Sequence, residues 1–293
     1  MQADPFQTEL DELNDELKLS TYFDVGKTRP SLAEDWKHVF GDLTPKKFYQ
    51  RFTKAAGEAP IRVQIIFPNE HSNDPITSDS PRMRITGSTG FTRIKIRHDS
   101  RMHWGHEREN EIRFDIYPNK PPKLDGIFLR ECDQSNNLAK RYLRTIVDLL
   151  KDVGADSIRL EAVEVGAYVW AKYGFTPETV NNWEKLKFQI KQRLGDDGTL
   201  RFDGHRYDAS IEKPVIDKIL ATDFEDLPKS FPLLTELNRE IGQHKGRPLT
   251  VGKALLLDTH WNGKLPLDEQ SISFQRFNHY TDGATKDLQR RAI

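Results

Sequence analysis

The stretch Asp133-Gln134-Ser135-Asn136-Asn137-Leu138-Ala139-Lys140-Arg141 joins a β-rich run, Gly126 to Cys132, to a helical one. The first turn of a helix presents unpaired backbone N–H groups and a partial positive charge of about 0.5. Acidic side chains are favoured there, yet this start carries Lys140, Arg141 and Arg144. Basic residues working against the dipole point to an anion at the turn, with phosphate the one such a turn suits. The competing reading is an ordinary capped helix with solvated basic side chains. Glu131 and Glu161 fall at the carboxyl ends of the strands before and after this helix, where open α/β sheets place ligands. Glu164 follows closely. Each carboxylate suits a general base, and each also reads as a solvated or ion-paired side chain.

Other reactive residue types are weaker candidates. Cys132 lies beside the turn, but no histidine stands near it in sequence to activate a thiol nucleophile, so it reads as a small buried hydrophobe. His98, His103, His106 and Glu107 crowd one loop-like stretch. Their spacing matches neither a helical i,i+4 pair nor a zinc pattern, so no metal is assigned; contact with an acceptor substrate is a further use for this loop. Trp104, Trp183 and Trp261 read as packing residues.

Several elements must hold these groups in place. Ser31 with Glu34 forms a capping-box pattern. Thr44-Pro45 opens a helix that Gly57 closes. From residue 61 the texture turns to alternation: Ile61 to Pro68, Arg82 to Thr89, Phe91 to Asp99 and Glu111 to Pro118. In the last of these Ile112, Phe114 and Ile116 share one face, and Arg113 and Asp115 the other. Leu138, Tyr142, Ile146, Leu149 and Val153 form the stripe of the longest helix, stopped at Gly154. Ser157 to Glu164 returns to strand, Val165 to Phe175 is a short helix, and a helix capped at Thr176 or Thr179 runs to Gly195. The unit over residues 126–164 is a βαβ crossover, which would make its strands parallel. Residues 195–248 are polar and poorly periodic, with one helix expected after the prolines of Asp223 to Gly242. Lys253 to Leu267 reads as a strand and a turn at Asn262-Gly263, followed by a last helix from Glu269.

Gln134-Ser135-Asn136-Asn137-Leu138-Ala139 resembles the acyl-CoA signature of the GNAT superfamily of acetyltransferases, Q/R-x-x-G-x-G/A. Tyr168-Val169-Trp170-Ala171-Lys172-Tyr173-Gly174-Phe175 resembles that family's closing pattern, LYEKxGF. The resemblance spans about residues 82–175 and includes the order of elements. It implies acetyl-CoA or another acyl-CoA as cofactor, its pyrophosphate on the backbone amides of the turn. Arg130, Cys132, Gln134, Ser135, Asn136, Asn137, Leu138, Ala139, Lys140 and Trp170 would then surround the cofactor. It also implies direct transfer to an amine, with Glu131 or Glu161 as base. Asn137 stands where the signature has its middle glycine. Trp170 stands where many members carry the tyrosine that protonates the leaving thiolate, and Tyr173, three residues on, is the nearest replacement. In the family the chain usually rejoins the sheet directly after Gly-Phe; here a helix is expected to intervene.

Net charge is −1, which excludes a bulk electrostatic case for nucleic acid or membrane surface. No apolar run approaches the ~20 residues that span a bilayer. One cysteine in 293 residues permits no internal disulfide, and the acidic N-terminal stretch does not read as a secretory signal. A cytoplasmic protein is expected, with secretion as an effector left open. The expected fold is α+β: a GNAT-like mixed, largely antiparallel sheet. It divides into a helical segment 1–57, a core 58–178 and a helix-rich region 179–293 with a late strand near 253–260. The leading function is acyl-CoA-dependent N-acyl transfer, with a protein amine as one acceptor. The alternative is a non-catalytic GNAT-like interaction module, such as a phage or bacterial effector component.

Overall fold

Thr44 and Pro45 start a helix for local reasons that the computed structural model bears out. The Thr44 hydroxyl accepts from the Lys47 N–H at 3.4 Å, and the missing N–H of Pro45 falls where none is needed. The structure describes residues 5–16, 23–25, 32–57, 61–66, 83–85, 92–98, 110–117, 120–128 and 137–291. It divides into two compact units, Met1–Asp156 with Gly283–Ile293, and Ser157–Asp282. Among the described residues no helix is long and apolar enough to cross a membrane.

The first unit opens with α1 (Pro5–Glu16), β1 (Phe23–Val25), α2 (Leu32–Phe40) and α3 (Pro45–Ala55). Aromatic rings join the helices: Phe6 to Trp36 at 5.7 Å, Trp36 to Phe48 at 5.6 Å and Phe40 to Phe48 at 5.3 Å. Then come β2 (Ile61–Ile66), β3 (Met83–Ile85), β4 (Thr92–His98), β5 (Asn110–Tyr117) and β6 (Lys120–Phe128). β1 pairs in parallel with β3, while β2, β4, β5 and β6 form consecutive antiparallel pairs. Alternation puts Val63, Ile65, Ile94, Ile96, Ile112 and Phe114 on a buried face, each contributing about 2 kcal/mol by removal from water. Phe52 meets Phe114 at 6.4 Å, so α3 packs on that face. α4 (Leu138–Asp152) buries Leu138, Tyr142, Leu143, Ile146, Val147, Leu149 and Leu150, and Gly154 leaves it at φ +80°.

The second unit begins with β7 (Ser157–Ala162), α5 (Glu164–Lys172), β8 (Thr176–Pro177) and α6 (Val180–Arg193). The strand–helix–strand order read over residues 126–164 is therefore present as β6, α4 and β7. The chain does rejoin a sheet directly after Gly174-Phe175, as β8, before the helix that was expected to intervene. The hairpin β9 (Thr199–Phe202) with β10 (His205–Asp208) follows, then α7 (Lys213–Leu220) and α8 (Leu227–Ser230). A second hairpin, β11 (Glu240–His244) with β12 (Arg247–Thr250), leads to α9 (Val251–Leu256), β13 (Trp261–Pro266) and α10 (Ile272–Arg291). β13 pairs antiparallel with both β7 and β8, so a late strand inserts between two earlier ones.

Three local expectations change. The polar stretch 195–248 contains two hairpins whose turns, Asp203-Gly204 and Lys245-Gly246, have positive φ at both central residues. That is the hairpin geometry whose Asp-Gly signature is legible in the sequence. The helix expected after the prolines breaks into α8 and 3-10 turns at Phe224–Asp226 and Phe231–Glu236. The late strand lies at Trp261–Pro266, because Thr250 caps a helix at Lys253 N (3.3 Å) and Val251, Gly252, Ala254, Leu255 and Leu256 are all buried around it. Asn262-Gly263 lies inside β13 instead of forming a turn.

Candidate functional site

Asn137 precedes α4 at φ 55° and ψ 15°, the left-handed conformation, and its side chain makes no capping hydrogen bond to the helix start. A glycine adopts this conformation without strain, and asparagine tolerates it better than most residues. Leu138 is buried, and Ala139 and Lys140 are half-buried. Two of the basic residues that suggested an anion have partners of their own. Arg141 Nε donates to the Ala55 carbonyl at 2.8 Å, and Arg144 pairs with Asp148 at 3.2 Å. Arg130, Glu131, Cys132, Gln134, Ser135 and Asn136 lie outside the described residues, as do His103, His106, Glu107 and Trp104. An open cleft of ≈ 290 Å³ in this unit is lined by Ile116, Tyr117, Lys120 and the Val153–Asp156 turn. It sits at the carboxyl end of α4, about 22 Å along the helix from Asn137 at 1.5 Å per residue.

In the second unit, α5 is built around its small residues. A Cβ on Gly166 would meet Trp170 Nε1 at 2.9 Å, so the indole folds back over the first turn of its own helix. Gly174 has φ +91°, and a Cβ there would come within 2.4 Å of the Ser273 carbonyl oxygen. Trp170 packs against Tyr173 at 5.9 Å and Phe175 at 5.6 Å. Tyr173 is 4% exposed and packs further against Phe277 and Tyr280. Burial, reinforced by Tyr280, pushes its phenol far above the usual tyrosine range. A proton donor works best near the operating pH, so Tyr173 is a weak acid at neutral pH. Tyr168 points elsewhere, its hydroxyl donating to the Thr235 carbonyl at 3.3 Å.

Glu161 has a partner that sequence reasoning missed. On β7, Ile158, Leu160 and Ala162 point inward, leaving Arg159 and Glu161 on the outer face. On β13 the buried residues are Trp261, Gly263 and Leu265, and Asn262 lies opposite Glu161. By the same alternation His260, just before β13, falls on the outer face. Its Nε2 lies 2.8 Å from Glu161 Oε1. A carboxylate only accepts, so Nε2–H donates and the lone pair of the neutral ring resides on Nδ1. Among the described residues there is no group of three or more metal-ligating side chains.

The backbone around this pair is held from several sides. Gln189 of α6 accepts from the His260 N–H and donates to the His260 carbonyl, both at 3.0 Å, as a neighbouring strand would. Glu164 and Asp258 both have left-handed backbones, φ 51° and 57°, and the Asp258 N–H donates to the Glu164 carbonyl at 3.2 Å. Each such residue costs about 1–2 kcal/mol, and strain of this kind collects at functional sites. Arg193 anchors the preceding turn on the carbonyls of Ala254 (3.0 Å), Leu255 (3.4 Å) and Leu257. An open groove of ≈ 590 Å³ beside His260 is lined by Glu184, Lys185, Phe188 and Gln189, with Phe188 62% exposed. No protein-family model, curated protein or solved structure matches the chain.

Proposed function

We propose that the protein is an acyl-CoA-dependent N-acyltransferase, transferring an acetyl or related group directly to an amine, with an amine on a protein as acceptor. The observation that carries this reading is the left-handed backbone of Asn137 at the start of α4. It is the conformation a glycine would supply, at the place where the acyl-CoA signature has its middle glycine. The return of the chain to a sheet directly after Gly174-Phe175 agrees with the family's closing pattern. On this reading the turn before α4 holds the pyrophosphate, and the acceptor amine loses its proton to a carboxylate or to water. The thiolate takes its proton from the amine nitrogen or from water, since Tyr173 is a weak acid.

Calorimetric titration with acetyl-CoA tests the cofactor. The parent chain is expected to bind one equivalent, and Ala139→Glu, which puts a carboxylate beside the pyrophosphate, to weaken binding at least tenfold, about 1.4 kcal/mol. Absence of binding by the parent ends the reading. Equal binding by both proteins moves the site away from α4.

One set of contacts favours the second reading, a non-catalytic interaction module. Arg141 and Arg144 are occupied within their own unit. The calorimetry separates the two readings.

A further inference from the structure

We infer that the second unit carries a binding site for a small phosphate monoester, formed by Lys172 of α5, Lys253 of α9 and Arg276 of α10. The inference is independent of the acyl-transfer reading. The three side chains come from elements that converge on residues 234–236. A Cβ on Gly252, beside Lys253, would lie 2.1 Å from the Leu234 carbonyl oxygen. Tyr168, one turn before Lys172, donates to the Thr235 carbonyl at 3.3 Å. Arg276 Nη2 donates to Glu236 Oε1 at 2.6 Å. The start of α10 also meets the end of α5 directly, since a Cβ on Gly174 would lie 3.5 Å from Arg276 Cβ.

The Lys172 ammonium lies 5.2 Å from the centre of the Tyr280 ring and 6.0 Å from that of Tyr168, both within reach of cation–π attraction. Tyr280 stands one turn beyond Arg276, so the ring that holds Lys172 and the guanidinium share a face of α10. Among the described residues the Lys172 ammonium makes no hydrogen bond and no ion pair. Lys253 Nζ donates to a neutral group, the Pro248 carbonyl, at 2.8 Å. Arg276 Nη2 is shared between Glu236 and the Pro232 carbonyl, and the buried Arg276 Nε has no partner. Three cations thus stand with one paired carboxylate, Glu236, which leaves two positive charges unmatched. Burial and the two neighbouring cations push the Lys172 amine below the usual lysine range, so the fold holds this charge at a cost. The last turn of α5 favours a cation through the helix dipole, but a solvated lysine would answer the dipole equally well. Fixing the ammonium between two rings, near a second lysine and an arginine, serves recognition of an anion instead. A phosphate monoester carries close to two negative charges near neutrality and matches that excess better than a carboxylate, which carries one. Its oxygens would accept from Lys172 Nζ and from the guanidinium of Arg276, with Lys253 adding charge.

The test titrates the full chain calorimetrically with phenyl phosphate, at about pH 7.5 and constant ionic strength. The parent is expected to bind one equivalent. Lys172→Gln, which removes a charged donor, is expected to weaken binding about tenfold, and Lys253→Gln about threefold. Benzoate, the same ring with a single negative charge, is expected to bind about tenfold more weakly than phenyl phosphate. A second readout needs no substitution. Phenyl phosphate is expected to slow acetylation of Lys172 by acetic anhydride about threefold, read by mass spectrometry, and to leave exposed Lys185 on α6 unchanged. Absence of binding by the parent overturns the inference. So does binding by Lys172→Gln within about twofold of the parent, or labelling of Lys172 at the same rate with and without phenyl phosphate. Benzoate bound as tightly as phenyl phosphate overturns the phosphate assignment, and unchanged affinity in Lys253→Gln removes Lys253 from the site.

Discussion

Asn137 shows how much a single backbone angle carries. At φ 55° it occupies a conformation that β-branched residues avoid. Asn137→Gly is therefore expected to raise stability by up to about 1 kcal/mol, and Asn137→Val to lower it by about 2 kcal/mol. Denaturant unfolding measures both; a valine variant as stable as the parent would show that the turn is not left-handed. An asparagine just before a helical stripe is the local sign of such a turn, since it tolerates the left-handed conformation better than most residues. The occupation of Arg141 by the Ala55 carbonyl was not legible, because those residues stand 86 positions apart. Nor was the weakness of Tyr173 as an acid, which follows from burial against Phe277 and Tyr280, rings supplied by a distant helix.

At the scale of elements, the clearest departure from sequence expectation is α9. Val251–Leu256 is apolar apart from Lys253, and a short apolar run fits a buried strand or a buried helix equally. Tertiary packing decides: a Cβ on Gly252 would lie 2.1 Å from the Leu234 carbonyl oxygen, so the first turn of the helix presses directly on that backbone. Gly252→Ala is expected to lower stability by about 3 kcal/mol, at the upper end of overpacking costs. Thermal melts would show it, and an unchanged midpoint would mean that the close approach is absent. The helices α3, α4, α5 and α6 were legible, since caps and glycine stops act within a few residues of the helix they bound. Thr179 caps α6 by accepting from the Asn182 N–H at 3.2 Å, as its position in the sequence suggests. The hairpin at Asp203-Gly204 was missed, because the polar texture around it hid the one dipeptide that signals such a turn.

At the scale of the whole molecule, the second unit carries an acid-sensitive joint. Glu212 receives Arg239 Nε and Nη2 at 2.5 and 2.6 Å, and these hydrogen bonds hold its carboxyl below the usual range. Asp208 is lowered by its hydrogen bonds with Ser210, and Asp197 by those with Thr199. A carboxyl whose folded pKa lies below its unfolded one stabilises fully above the unfolded value, and that stability is lost as pH falls through the folded one. The melting temperature is thus expected to drop from about pH 5 to about pH 3, and Glu212→Gln to lower it near neutrality while flattening the drop. An equally steep drop in Glu212→Gln would exclude this joint as a cause. Periodicity, caps and composition, all local properties of the chain, were enough to set the α+β class, the buried faces of β4, β5 and α4, and the order strand, helix, strand, helix through Phe175. The chain alone determined those because hydrogen-bonding period and turn chemistry need only near neighbours. Only the tertiary structure placed β13 between β7 and β8, and with it His260 against Glu161. Strand insertion and side-chain meeting across 99 positions depend on which surfaces bury each other, and no local pattern encodes that.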